Sequence, residues 1–143
     1  MKLELLNTSV VVVAQEHNPT ILHPAFLAAE GIAPQDWKPA APPICTPAFS
    51  FVKYGNGIVF TVESNRFSVT DESPSGEVAE SLAPKLAISY VEKLPHVRYT
   101  AVGINLHGFV LCETPEAFLI ARFLKEGSYR PPRIVANPEV CSI

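Results

Sequence analysis

The strongest candidates for chemistry in this sequence are two histidine positions, and the first is His17. It stands between Glu16 and Asn18 directly after an apolar run, and a carboxylate, an imidazole and an amide there could form a small polar pocket, with His23 nearby. Adjacent side chains on an extended backbone point to opposite sides and do not converge on one atom. The simpler interpretation is that Asn18, followed by Pro19, caps a turn and that His17 lies beside it.

The second candidate is His107, which follows Asn105 and precedes Cys112 in the same segment. A cysteine and a histidine can form a nucleophile and its base when the two side chains meet. Five residues apart on a straight strand, they would lie about 16 Å apart, which is too far. The pair would therefore need Cys45 or Cys141 from elsewhere in the chain, and a structural role for His107 is the simpler interpretation.

The spacing of possible ligands predicts no metal and no cofactor. Four histidines and three cysteines form neither a Cys-x₂-Cys nor a His-x₃-His pattern, and no carboxylates cluster at ligand spacing. No glycine-rich phosphate loop and no Gly-x-Ser-x-Gly elbow is present. The segment YGNG at residues 54–57 is typical of a hairpin turn rather than a phosphate cradle.

Composition excludes several classes of partner. Against 14 Asp and Glu there are 11 Lys and Arg, a net charge of −3, which gives no reason to expect binding to nucleic acid or to an anionic membrane. No apolar run approaches the roughly 20 residues of a membrane span, and no secretion signal is recognisable. Three widely spaced cysteines do not indicate a disulfide framework, so we expect a cytoplasmic protein.

Three segments in the first half have clear signatures. Residues 3–14 end in an unbroken β-branched run, which predicts a strand that is interior to a sheet. Residues 24–30 predict a short helix ending at Gly31, and residues 32–47 a proline-rich connector pinned to the core by Trp37. Residues 48–71 predict a meander of three antiparallel strands, with Asn56-Gly57 as a type I′ turn and a second reversal at Ser64-Asn65.

The second half predicts two helices around one strand. Residues 77–94 have a helical apolar stripe that Pro84 must kink, or else the helix restarts near Ser81. The strand, at residues 97–112, reads as central, with Gly103 where a bulky side chain such as that of Trp37 or Tyr90 crosses the backbone. A last helix is expected at residues 117–126.

Together these elements predict one α+β domain over residues 1–127, in the order β-α-β-β-β-α-β-α. Its antiparallel-rich sheet has about five strands, with helices packed on one face. A proline-containing tail follows at residues 128–143. If the uncovered sheet face is as apolar as Val59, Val102, Ile104 and Leu106 suggest, a homodimer or higher homo-oligomer would bury it.

Several blocks of sequence resemble a group of uncharacterised bacterial proteins of the same layout. The blocks are HNPTIL at residues 17–22 with Phe26 and Trp37 after it, YGNG at 54–57, YVEKLP at 90–95 and AVGIN at 101–105. The similarity covers about residues 8–127 and implies no activity, cofactor or catalytic residue. In strand order alone the chain is similar to export-chaperone-like α+β proteins, which oligomerise through their sheets and bind extended chains.

Three functions follow as hypotheses. The first is a non-enzymatic binding or assembly module that acts as a homo-oligomer, with a protein or small-molecule ligand not specified. The second is a small enzyme that gathers His17, Asn105, His107 and a carboxylate around a cleft after the first strand. The third is a chaperone-like binder of extended peptides.

Overall fold

A computed structural model describes residues 2–72 and 77–124 of the chain. The chain divides into two compact units, Met1–Val110 and Leu111–Ile143. The predicted tail at residues 128–143 lies outside the described residues.

The described part of the first unit contains six strands and two α-helices, and that of the second contains one α-helix. Two short 3-10 helices, Pro19–Ile21 and Val78–Glu80, precede the α-helices of the first unit. The elements in chain order are β1 (Leu3–Ala14), α1 (Pro24–Ala29), β2 (Ile44–Cys45), β3 (Phe49–Lys53), β4 (Ile58–Glu63), β5 (Arg66–Asp71), α2 (Ala83–Lys93), β6 (Tyr99–Val110) and α3 (Pro115–Phe123).

All six strands form one antiparallel sheet in the order β2-β3-β4-β5-β1-β6. The predicted α+β class is therefore confirmed. The sheet has one strand more than the five expected, because the proline-rich connector contributes β2, only two residues long. None of the described helices is long and apolar enough to cross a lipid bilayer.

The two long strands have different places in the sheet. β1 pairs with both β5 and β6, so the run Val10–Val13 is interior, as predicted. β6, predicted to be central, forms an edge. The sequence carries the physical reason: β6 alternates apolar residues with Ala101, Gly103, Asn105 and His107, whereas a strand buried on both faces needs an apolar run like that of β1.

One face of the sheet carries the core. Val52, Phe60, Val69, Val10 and Ile104 lie side by side across five strands. All but Ile104 are buried, in one cluster with side chains from α1, α2 and the connector.

The opposite face contains Val59, which is next to Phe60 on β4 and therefore points the other way. Val59 thus does not share a face with Val102, Ile104 and Leu106. It is also buried, so of these four residues only the three on β6 contribute exposed apolar surface.

Trp37 holds the proline-rich connector, residues 32–47, to the core, as expected. The ring of Trp37 packs edge-on against that of Tyr54 with centroids 5.3 Å apart, and Tyr54 in turn contacts Phe60.

The predicted meander is confirmed, but its first turn has a different geometry. A type I′ turn would need positive φ at both Asn56 and Gly57, and only Gly57 has it, at 88°. The amide N–H of Gly57 donates to the carbonyl of Tyr54 at 3.1 Å, and that of Tyr54 donates to the carbonyl of Ile58 at 2.9 Å. These bonds are typical of a three-residue loop in which the glycine forms a bulge.

The helix predicted over residues 77–94 restarts after Ser81 instead of kinking at Pro84, which is one of the two predicted alternatives. Pro84 occupies the first turn of α2, where its missing N–H would have no partner in any case. A carboxylate oxygen of Asp71 accepts from the Ser81 hydroxyl at 3.1 Å and from the amide of Leu82 at 3.3 Å. The start of α2 is therefore fixed to the end of β5.

The close backbone approach expected at Gly103 is at Gly108 instead. A Cβ atom at Gly103 would meet nothing within 4 Å, whereas one at Gly108 would lie 2.8 Å from the carbonyl oxygen of Glu4. The expectation was wrong because Gly103 lies on the face of the sheet away from α1 and α2, whereas Trp37 and Tyr90 pack in the core on the other face.

Candidate functional site

His17 is held where the chain turns away after β1. Its amide donates to the carbonyl of Ser64 at 2.7 Å, and its ring Nε2 lies 3.2 Å from the carbonyl oxygen of Val12. The ring packs between Phe67 and Tyr99, with centroid distances of 6.4 and 6.1 Å. The His17 side chain therefore connects the end of β1 to Phe67 of β5 and Tyr99 of β6.

Burial sets the protonation state of this imidazole. Loss of water lowers the pKa of His17 from its ordinary value of 6.5, although the bond to Val12 acts in the opposite direction. The neutral ring donates from Nε2 to the carbonyl, which leaves Nδ1 as an acceptor that is buried and has no partner among the described residues. A general base needs its free nitrogen within reach of a substrate proton, and this nitrogen is enclosed.

A polar pocket of about 530 Å³ opens beside His17, with Glu16, Asn18, His96 and Arg98 in its wall. Asn18 does not face it as a reactive amide, because its side-chain oxygen caps the following 3-10 helix. That oxygen accepts from the amide of Thr20 at 3.1 Å and from its hydroxyl at 2.6 Å. The capping role expected for Asn18 is thus observed.

His23 also acts as a helix cap. Its Nδ1 accepts a hydrogen bond from the amide of Phe26 at 3.1 Å, at the start of α1. This bond gives His23 a structural role at the start of α1.

The structure separates His17 from His107. His107 lies opposite Asn7 on β1, and its Nδ1 is 2.8 Å from the side-chain oxygen of Asn7. At the other end of the ladder Ala14 lies opposite Tyr99. The seven steps from residue 7 to residue 14 span about 23 Å, so the two imidazoles serve opposite ends of the strand.

Asn105 lies opposite Ser9, on the same exposed stretch of β6 as His107. The two side chains share the face of the sheet that points away from α1 and α2. No three His, Cys, Asp or Glu side chains in residues 2–72 and 77–124 come together as a metal site.

β6 carries a long exposed surface and pairs with another strand of the described sheet on one side only. Every residue from Thr100 to Phe109 is exposed, although the strand is twelve residues long. Val102 and Ile104 are 69% and 63% exposed, on the face where the other strands carry the core. α2 contacts β1 and β5, and it leaves this part of the face bare.

Between α2 and β6 lies an apolar groove of about 510 Å³. Its floor includes Val10, Val102 and Ile104, and its wall on the helix includes Ile88 and Val91. Among the described residues of the lining, Glu92 has the one ionisable carboxylate. Such a surface can bind apolar side chains, but it has few polar groups with which to orient a reacting molecule.

The apolar residues of this groove are recognisable in the sequence, but the groove itself is not. The alternation of Val102, Ile104 and Leu106 was the signal. What it could not provide was the pairing of β1 with both β5 and β6, which leaves the last strand at the edge.

In comparisons with family models, curated proteins and solved structures, the chain has no significant match.

Proposed function

We propose that this chain is a non-enzymatic assembly module that acts as a homodimer, in which β6 pairs antiparallel with β6 of a second copy. The single observation behind the proposal is the exposure of β6 along nearly its whole length. A long edge strand with apolar side chains is a template for pairing with another chain, and proteins ordinarily shorten, charge or cover such an edge. Residues 100–109 include no Lys, Arg, Asp, Glu or Pro that would do so.

The side-chain pattern of β6 favours one register. Directly opposed residues of an antiparallel pair lie on the same face, so Ile104 can lie opposite Ile104 of the second copy only if Val102 lies opposite Leu106. All these side chains are on the face that carries the core. Aliphatic cross-strand pairs stabilise a sheet, so this register buries the most exposed apolar surface of the strand.

The enzymatic alternative has less support. The candidate base, His17, has one ring nitrogen near Val12 and the other enclosed, and His107 lies at the far end of the sheet. We also propose a cytoplasmic location, because a reducing compartment keeps an exposed thiol such as that of Cys45 free.

A chaperone-like binder of extended peptides is the second candidate. A bare strand edge beside an apolar groove favours it, because a peptide can add to an edge as a new strand and place alternate side chains in the groove. If the chain is a homodimer, a second copy occupies the edge of β6 in the pure protein. If it is a peptide binder, that edge is unoccupied in the pure protein.

Sedimentation velocity on three proteins tests the proposal: the wild type, Ile104→Lys and Ile44→Lys. Ile44 is a matched control, because it is also an isoleucine on an edge strand, 47% exposed, but on β2 at the opposite edge. We expect a wild-type dimer at micromolar concentration. Ile104→Lys should weaken it by about 3 kcal/mol, roughly a hundredfold in Kd, because two apolar side chains are lost and two ammonium groups face each other.

Ile44→Lys should leave the dimer unchanged. A wild-type monomer at all concentrations would contradict the proposal. If that monomer also bound an extended apolar peptide in a manner abolished by Ile104→Lys, the second candidate would be supported instead.

A further inference from the structure

The groove between α2 and β6 has an apolar lining, and in a single copy its floor ends at the outer edge of β6. α2 lies over β1 and β5. A second helix packed beside α2 would lie 8–10 Å from it, which is about two strand spacings of 4.8 Å. That position is above the outer edge of β6, where one copy provides only half of a floor.

The proposed pairing of β6 with its copy provides the other half of this floor. It does not by itself provide a stable interface, however. A strand about 40 Å long in a sheet layer about 10 Å thick presents a section of only about 400 Å². Stable interfaces bury about 800 Å² on each partner, so a second contact region is required.

The described part of the second unit contains an apolar helix with no buried residue. On α3, Leu119, Ile120 and Phe123 are spaced as one side of a helix, and Phe123 is 72% exposed. Nine residues are too few for a helix to be stable in water without packing against another surface. The helix is about 14 Å long, and the part of β6 that lines the groove, residues 99–104, extends about 17 Å.

We propose that α3 of one copy lies in the groove between α2 and β6 of the other copy. The inference rests on the proposed homodimer and adds a second interface to it. With Ile104 opposite itself, Val110 of the second copy lies opposite Arg98 of the first. The second copy's strand therefore ends beside Tyr99, where the groove begins.

Chain length favours the exchange. Only residues 111–114 separate the end of β6 from the start of α3, so the chain allows at most about 18 Å between Val110 and Pro115. In the second copy that end lies at the groove of the first. Within one copy, Val110 is eight residues from Val102, a distance of about 27 Å along β6. Apolar side chains of α3 then meet Ile88, Val91 and Val102, and Glu92 is the one carboxylate among the described lining residues.

Disulfide trapping between two differently tagged, co-expressed full-length chains tests the inference. Both chains have Cys45, Cys112 and Cys141 replaced by serine. One chain carries Ile88→Cys in the groove and the other carries Phe123→Cys on α3. Both sites are exposed, at 59% and 72%, so neither change empties a core.

On oxidation we expect a covalent dimer carrying both tags. It should form about a hundredfold faster than with the control pair Ile44→Cys and Phe123→Cys, because residues held together in a complex experience millimolar effective concentration. Sedimentation of the same samples under reducing conditions reports separately on the dimer.

A dimer by sedimentation that gives no faster cross-linking than the control pair would overturn the exchange of α3 and leave the pairing of β6 standing. A monomer by sedimentation would overturn both. In a chain carrying both cysteines, rapid closure to an intramolecular disulfide with no covalent dimer would show that α3 lies in the groove of its own copy, which also contradicts the inference.

Discussion

The ring of Tyr90 lies flat against the ring of Phe67, with centroids 3.7 Å apart and planes 10° apart. This contact joins α2 to β5 at the centre of the core. The Tyr90 hydroxyl is buried and has no hydrogen-bond partner among the described residues, and burial raises its pKa. The ring is needed at this position, but its hydroxyl gains nothing there.

Tyr90→Phe should therefore stabilise the protein by about 1 kcal/mol, because it removes an unsatisfied polar group and keeps the stacked ring. The control is Tyr99→Phe. The hydroxyl of Tyr99 donates to the carbonyl of Leu94 at 2.9 Å, so its removal should cost about 1 kcal/mol. Urea unfolding of the three proteins measures both effects, and a loss of stability in Tyr90→Phe would contradict the first.

Gly108→Ala and Gly103→Ala should differ sharply although both lie on β6. At Gly108 the added methyl would lie 2.8 Å from the carbonyl oxygen of Glu4, a backbone atom of the neighbouring strand that cannot rotate away. We expect a loss of about 1–3 kcal/mol. At Gly103 the space is open, and alanine should be neutral or stabilising by up to about 1 kcal/mol. Equal midpoints in thermal unfolding for the two variants would refute this difference.

The glycines of the first hairpin form a second matched pair. Gly57 has a φ of 88°, so Gly57→Ala should cost about 1–2 kcal/mol. Gly55 does not have positive φ, and a Cβ there would be in ordinary contact, 3.8 Å from the carbonyl of Lys38. Gly55→Ala should leave stability nearly unchanged in urea unfolding, and the reverse order of the two variants would contradict the assignment of the left-handed position to Gly57.

His17 should make stability depend on pH. Its pKa is lowered in the folded state, so below pH 6.5 the unfolded chain binds more protons than the folded chain. Stability should therefore fall as the pH decreases from about 6.5 toward the lowered pKa, with a slope of at most about 1.4 kcal/mol per unit, and this group should contribute no slope above that window.

His17→Gln keeps an amide donor for the carbonyl of Val12 and removes the titration. Unfolding free energies measured at several pH values should show a shallower slope for this variant than for the wild type. His107→Gln makes the same exchange on an exposed surface and shows what the substitution does by itself. An unchanged slope in His17→Gln would mean that another group carries the dependence.

Local chemistry made much of the fold predictable. The unbroken run Val10–Val13 predicted an interior strand, and β1 has partners on both sides. Pro84 predicted that the second helix would kink or restart, and α2 starts with it in the first turn. Each of these depends on a residue and its immediate neighbours, where backbone sterics and apolar periodicity decide the outcome.

Features that depend on contacts between distant parts of the chain could not be predicted from the local sequence. Gly103 was expected to be the crowded glycine, but Gly108 is, because the crowding comes from Glu4 about a hundred residues away. The enzymatic hypothesis placed the imidazoles of His17 and His107 in one site. Their separation follows from the register of β1 and β6, which brings Asn7 to His107 and Tyr99 to Ala14.

The two edges of the sheet differ in a way that bears on how far assembly can proceed. β2, at one edge, has only Ile44 and Cys45 and follows directly after Pro42 and Pro43, which have no N–H to donate. β6, at the other edge, is long and open. A sheet with only one edge open to pairing can gain one partner sheet and no more, because pairing the two open edges leaves none free. In the proposed dimer, the same asymmetry would also keep the sheet from extending into fibres.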